Sequence, residues 1–194
     1  MDITLEIIGT IVGLIYLWQE YNASINLWIT SIIMPAIYLF IYYDAGLYAD
    51  FGINVYYLLI AIYGWASWKY GFELFSSNRK QQELTIGHIP YKSGIWLSML
   101  FFVTWALITW ILITFTDSNV PYSDAFTTAL SIIGMYMLAR KYIEQWMVWI
   151  IVDVVCVGLY IYKELYFTSA LYAVYAIIAI FGYRKWATMI ATKN

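Results

Sequence analysis

The sequence predicts an all-α integral membrane protein in which two parallel three-helix repeats are joined by a linker helix, seven transmembrane helices in all. Three observations support this fold class. Of the 194 residues, 63% are hydrophobic and only 11% are charged. Seven apolar segments have about the length of a bilayer crossing, and two distant parts of the chain share one residue pattern. A soluble domain of this size would need more charged residues to cover its surface.

A hydrocarbon core of about 30 Å needs about 20 apolar residues in a helix, and seven segments meet this length. The second and sixth segments are short, and Pro35 lies within the second. Short or proline-containing helices in corresponding positions often mark a transporter's binding site. The seven segments are approximately 3–20, 26–43, 50–70, 94–116, 122–140, 146–162 and 166–186.

The connections between these segments are short except for residues 71–93, the only sizeable polar stretch. The predicted organisation is a first three-helix bundle (1–70), a cytoplasmic loop (71–93), a linker transmembrane helix (94–116), and a second bundle with a cytoplasmic C-terminus (117–194). Residues 1–6 lack the basic start of a cleavable signal peptide.

The basic residues predict the orientation of the chain in the membrane. With the N-terminus outside, only Lys163 of the ten lysines and arginines faces outward. The positive-inside rule therefore predicts an outside N-terminus and a cytoplasmic C-terminus. The nine residues on the cytoplasmic side are Lys69, Arg79, Lys80, Lys92, Arg140, Lys141, Arg184, Lys185 and Lys193.

An internal repeat links segments 46–68 and 164–186, which align without a gap at a constant offset of 118 residues. Four helices separate the equivalent members, so both copies point the same way and form a parallel repeat. This architecture is typical of transporters with a midplane site, although a duplication retained only for packing would give the same pattern. The matching pairs include Trp28 and Trp146, Leu47 and Leu165, Tyr57 and Tyr175, Gly64 and Gly182, and Trp68 and Trp186.

Asp153 is the one charged residue near the middle of a predicted span. A carboxylate at the bilayer centre costs about 2.5–3.5 kcal/mol on insertion scales, which makes it a functional candidate. Trp146 and Trp149 precede it at helical spacing, and Tyr160 continues the same face. Two indoles beside a carboxylate suit a flat cation. The alternatives are a carboxyl group that only bonds to a neighbouring helix and two interfacial tryptophans.

A second group of candidate ligand contacts comes from the first bundle. Asn54 and Tyr57 share one face of the third segment, and Tyr38 lies on the second segment. An amide inside a membrane can recognise ligand donors and acceptors, or it can bind another helix.

The sequence lacks the residue patterns on which the common enzymatic mechanisms depend. The only histidine, His88, falls in the polar loop, and the chain contains neither a phosphate-binding GxxxxGK[ST] motif nor a Gly-x-Ser-x-Gly motif. We therefore predict no catalytic residues, no metal and no cofactor. The chain has no basic patch typical of nucleic-acid binding.

Residues 140–153, RKYIEQWMVWIIVD, resemble the W-x-x-W-x-x-x-N signature of the PnuC vitamin transporters. Further similarities are Thr10-x-x-Gly13 and Tyr63-Gly64-Trp65 followed by Trp68. The resemblance implies a fold similar to SWEET sugar transporters and a place in the bacterial inner membrane. It implies facilitated diffusion of nicotinamide riboside, thiamine or riboflavin, with trapping by a cytoplasmic kinase. It also implies a homotrimer surrounded by membrane lipid, with Trp146, Trp149 and position 153 contacting the ligand.

The sequence departs from that family pattern at two positions. The signature ends in Asp153 where the family has asparagine, and Asn54 stands where nicotinamide riboside members have glutamine. An ionised aspartate only accepts hydrogen bonds, which favours a cation that donates them, such as the aminopyrimidine of thiamine. We therefore predict the thiamine branch, PnuT, with nicotinamide riboside as the alternative.

The predicted mechanism is uniport by alternating access around the Asp153 site, although Asp153 could instead carry a proton. Two other classes remain open on the sequence alone. One is a membrane module that binds a vitamin without transporting it, and the other is a sugar transporter of SWEET type.

Overall fold

The structure is a computed structural model that describes residues 3–44, 48–71 and 84–192. At some helical positions the structure describes the backbone but not the side chain. These positions are 3–10, 34, 37, 38, 41, 42, 44 and 48–50. The described part of the chain forms seven helices, which confirms the all-α prediction. Their bounds are α1 Ile3–Tyr21, α2 Asn26–Asp44, α3 Tyr48–Tyr70, α4 Tyr91–Phe115, α5 Pro121–Ala139, α6 Gln145–Tyr162 and α7 Tyr166–Ala191.

The helices follow the predicted segments closely, with the largest difference at the end of α7. That helix continues to Ala191, because residues 187–191 contain neither proline nor glycine. The predicted segment ends at 186, since about 20 residues are enough to cross a bilayer. Helix α2 runs through Pro35 without a break. Among the described residues, three helices are long and apolar enough to cross a membrane by length and composition, namely α4, α6 and α7.

Helix α4 has an almost entirely exposed apolar surface. Trp96, Phe102, Val103 and Trp110 are all exposed on it. In water such a surface would be an aggregation site, but in a bilayer it faces acyl chains of equal polarity. One side of α4 packs on α5, where Phe101 and Phe126 meet edge to face with ring centroids 5.6 Å apart.

The chain divides into two compact units, Met1–Thr85 and Ile86–Asn194. In the first unit, α2 packs along α3, and the indole of Trp28 lies between them. The buried ring of Trp28 lies against Gly64 and meets Trp68 edge to face, with centroids 5.6 Å apart. A side chain at position 64 would overlap the Trp28 ring, so only glycine allows this approach.

The second unit, taken by itself, contains the same local packing between α6 and α7. The ring of Trp146 lies against Gly182 and meets Trp186 edge to face, with centroids 5.7 Å apart. Each of these three residues stands 118 positions after its counterpart in the first unit. The offset found in the sequence therefore corresponds to a repeated tryptophan–glycine–tryptophan contact. The pair Leu47 and Leu165 cannot be compared, since Leu47 lies outside the described residues.

A short segment before α4 is held by the connection between α5 and α6. The amide of Gly87 donates to the carbonyl of Lys141 at 3.1 Å, and the amide of Ile143 donates to the carbonyl of Gly87 at 3.0 Å. The Glu144 carboxylate accepts from the Ile89 amide at 3.0 Å and lies 2.7 Å from His88 Nδ1. This end of the predicted loop is thus fixed to the second unit, while residues 72–83 lie outside the described residues.

Replacing Glu144 with alanine is expected to release this segment. The Ile89 amide loses its acceptor, and a hydrogen bond to a charged group contributes about 1.5–3 kcal/mol. We expect its hydrogen exchange to accelerate at least about tenfold, as measured by exchange mass spectrometry on peptides covering residues 86–90. Asp117→Ala, which removes an exposed carboxylate elsewhere, is the control and should leave these peptides unchanged. Equal exchange in wild type and Glu144→Ala would show that Glu144 does not hold the segment.

Candidate functional site

Helix α6 carries four of the seven predicted contacts, Trp146, Trp149, Asp153 and Tyr160, and further polar side chains share their side of the helix. Successive helical residues are rotated by about 100°, so Gln145, Trp149, Asp153, Cys156 and Tyr160 fall within a sector of about 80°. The face therefore presents a carboxamide, an indole, a carboxylate, a thiol and a phenol in order along the helix.

Trp146 packs α6 against α7 in this conformation. Only 1% of the residue is exposed, because its ring lies between Gly182 and Trp186. Its indole Nε1 is buried and has no hydrogen-bond partner among the described residues. The ligand contact predicted for Trp146 stays a prediction, whereas its packing role is directly visible.

Trp149 is turned toward α5. A Cβ atom added at Gly134 would lie 3.3 Å from the Trp149 ring, so the glycine lets the indole approach the α5 backbone. Its Nε1 is also buried without a hydrogen-bond partner in the described part of the chain. Trp149 is only half-buried overall, so it can offer an aromatic surface and a free donor to a ligand.

Asp153 lies one turn beyond Trp149 and is 6% exposed. Its carboxylate makes no hydrogen bond or ion pair with the residues that the structure describes. Lys163, at the end of α6, is paired with Asp124 at 3.3 Å. A buried carboxylate without a countercharge is costly unless a cation joins it. Asp153 is therefore suited to binding a cationic ligand.

Three tyrosines surround this part of α6. Tyr160 lies beside Tyr172 of α7 with ring centroids 5.1 Å apart, and Tyr172 meets Tyr175 at 5.7 Å. Asp153 lies close to both Tyr172 and Tyr175, so these groups form one neighbourhood. Phenol rings offer a cation their negative faces and offer polar ligands their hydroxyl groups.

The sequence interpretation included Tyr160 but missed Tyr172 and Tyr175. A usable signal was present, because adding the repeat offset of 118 to Asn54 and Tyr57 gives positions 172 and 175. It also missed Gln145, whose side chain is completely buried at the start of α6.

The candidates of the first unit lie on α3 and α2. Tyr57 is half-buried, and its ring lies beside Tyr56 with centroids 5.7 Å apart. Asn54 is half-buried and already engaged in an interaction. The side chain of Tyr38 lies outside the described residues. The ligand contacts predicted for these three residues stay predictions.

Comparison with known proteins gives a consistent result over nearly the whole chain. The model of the family described as "Nicotinamide mononucleotide transporter" matches residues 3–188. The nicotinamide riboside transporter PnuC of Escherichia coli is 25% identical over 206 aligned residues, covering 94% of this chain and 84% of the relative. The riboflavin/roseoflavin transporter RibM of Streptomyces davaonensis is 24% identical, covering 93% of this chain and 83% of the relative.

A solved structure has the same fold. The crystal structure of the vitamin B3 transporter PnuC superposes with a TM-score of 0.71 at 18% identity, covering 100% of this chain and 84% of that one. The named substrates of these relatives are nicotinamide riboside and riboflavin, so the predicted thiamine branch finds no support among them.

Proposed function

Because the chain belongs to the nicotinamide mononucleotide transporter family, we propose that it carries nicotinamide riboside across the membrane. Family membership makes the chain a multi-pass membrane protein related to vitamin transporters. The choice of nicotinamide riboside over thiamine follows the relative from Escherichia coli, which is named for that substrate. It replaces the preference for thiamine that Asp153 alone suggested.

The observation that carries this proposal is the buried, unpaired carboxylate of Asp153 beside Trp149 and the tyrosines. Nicotinamide riboside has a flat cationic ring, which an aromatic face attracts by about 2 kcal/mol when desolvated. Its ribose hydroxyls are donors that a carboxylate can accept from. Riboflavin is neutral and larger, so it gains less from Asp153.

We propose the same membrane topology that the sequence predicts: seven spans with the N-terminus outside and the C-terminus in the cytoplasm. The repeated contacts of Trp28 with Gly64 and of Trp146 with Gly182 support a duplicated three-helix unit with α4 as the linker. A homotrimer in the bacterial inner membrane is the assembly proposed with it.

Transport is proposed to be uniport by alternating access, followed by trapping of the product by a cytoplasmic kinase. This proposal follows the family resemblance and the single acidic residue, Asp153, that lies near the middle of a predicted span. Asn54 and Tyr57 are separate proposed contacts, each tested by its own alanine variant.

Purified protein in liposomes is expected to equilibrate radiolabelled nicotinamide riboside without any imposed gradient. Parallel vesicles receive thiamine and riboflavin, and protein-free vesicles are the control. Faster uptake of nicotinamide riboside than of either other vitamin is the expected result. Faster thiamine uptake would restore the prediction from sequence, and no flux of any vitamin would favour a binding module. Accumulation driven by a pH gradient would exclude uniport.

A further inference from the structure

The first residue of α6 carries a polar group that the packing of the helix does not explain. Gln145 is 0% exposed, yet neither its amide oxygen nor its amide nitrogen has a hydrogen-bond partner among the described residues. Buried amides are nearly always hydrogen-bonded, because leaving both groups unpaired is unfavourable. The amide is therefore available to a partner that the described residues do not supply.

The repeat supplies an internal comparison for this position. Subtracting 118 from 145 gives Leu27, which is also 0% exposed at the start of α2. The next residues, Trp28 and Trp146, make the same contacts with their glycines. An apolar side chain therefore satisfies the packing at this point of the repeat, and the amide of Gln145 is not needed for it.

The position of Gln145 relates it directly to the site on the same helix. Gln145, Trp149 and Asp153 follow at intervals of four residues, so their side chains neighbour one another in turn. The first and last are about 12 Å apart along the axis, at 1.5 Å per residue. Trp149 lies between them, and its Nε1 is a second buried donor without a partner in the described chain.

We propose that Gln145 contacts the substrate, and that its side chain recognises the carboxamide of nicotinamide riboside. This inference rests on the proposed function and assigns the two ends of the ligand. The amide of Gln145 donates to and accepts from the ligand carboxamide, the pyridinium ring lies against Trp149, and the ribose hydroxyls donate to Asp153.

The same arrangement explains why a second polar group is needed. An ionised aspartate cannot donate to a carboxamide. Gln145 supplies the missing donor and acceptor two turns earlier on α6. The amide is enclosed in this conformation, so the ligand reaches it in another state of the alternating-access cycle.

The test combines Gln145→Leu with a ligand that lacks the group to be recognised. Calorimetry is carried out on wild type and variant with nicotinamide riboside and with pyridinium riboside, which keeps the cation and the ribose but has no carboxamide. We expect the variant to bind nicotinamide riboside about tenfold more weakly, whereas its Kd for pyridinium riboside should change less than twofold. Gln145→Met, which keeps the length of the side chain, should give the same pattern.

The possible results separate this inference from the proposed function. If Gln145→Leu binds both ribosides more weakly by the same factor, Gln145 only maintains the structure of the protein. If the Kd of both ribosides is unchanged, Gln145 does not contact the ligand. Either result overturns the role of Gln145 while leaving nicotinamide riboside transport intact. Wild-type protein that binds neither riboside would overturn both proposals.

Discussion

Replacing Asp153 with alanine is expected to weaken binding of nicotinamide riboside by roughly 30- to 100-fold. The variant loses the only described carboxylate on the aromatic face of α6, and hydrogen bonds to a charged group contribute about 1.5–3 kcal/mol. Calorimetry on purified protein measures the Kd, and initial uptake into liposomes measures the corresponding loss of flux.

Two further variants make this result specific. Asp153→Asn keeps the size of the side chain and a hydrogen-bond acceptor but removes the charge, so it should weaken nicotinamide riboside binding by roughly tenfold, less than Asp153→Ala does. Asp117→Asn neutralises an exposed carboxylate between α4 and α5 and should bind as wild type does. If Asp153→Ala binds nicotinamide riboside with the wild-type Kd, the substrate site does not lie on this face of α6.

Replacing Gly182 with alanine is expected to destabilise the protein by about 2–3 kcal/mol, as overpacking of a close contact does. The added Cβ atom would lie 2.6 Å from the Trp146 ring, and the ring itself is held by Trp186. The ring or one of the two helices must therefore move. In detergent the melting temperature should fall by roughly 5–10 °C.

The matched control is Gly158→Ala on α6, where an added Cβ meets nothing within 4 Å. This variant should melt at the wild-type temperature or slightly above it, since alanine favours the helix over glycine. Gly64→Ala should behave as Gly182→Ala does, because Trp28 lies against it in the same way. Equal melting of Gly182→Ala and Gly158→Ala would show that α7 adjusts without cost.

The helices could be predicted from the sequence because membrane thickness fixes the length of an apolar segment. Even α2, with Pro35 in its middle, forms where the segment length places it. The end of α7 could not be placed in this way, because residues 187–191 continue the helix past Arg184 and Lys185, beyond the length that a bilayer crossing requires. Packing partners such as Trp28 and Gly64 could be aligned by the repeat, but no periodicity shows that an indole covers a glycine.

The sequence predicts candidate contacts on α2, α3 and α6, and those on α6 are the ones whose surroundings the structure describes most fully. Asp153 was identified by its position in an apolar segment, and Trp149 by its spacing from it. Trp146 has the same helical spacing, yet its ring is buried against Gly182 of α7. The spacing of residues within α6 cannot predict this contact, because it depends on the residues of α7. Tyr172 and Gln145 were missed for opposite reasons: tyrosine is too common in this chain to stand out, and a glutamine at the end of a segment resembles a solvated loop residue.

The indole-on-glycine contacts join helices that are neighbours in the chain, α2 with α3 and α6 with α7. Such a contact can form as soon as the later of the two helices leaves the ribosome and enters the membrane. The first half of the protein can therefore complete its tightest packing during synthesis, before the second half exists. Biogenesis of this protein thus does not depend on a late search between distant segments for these closely fitted contacts.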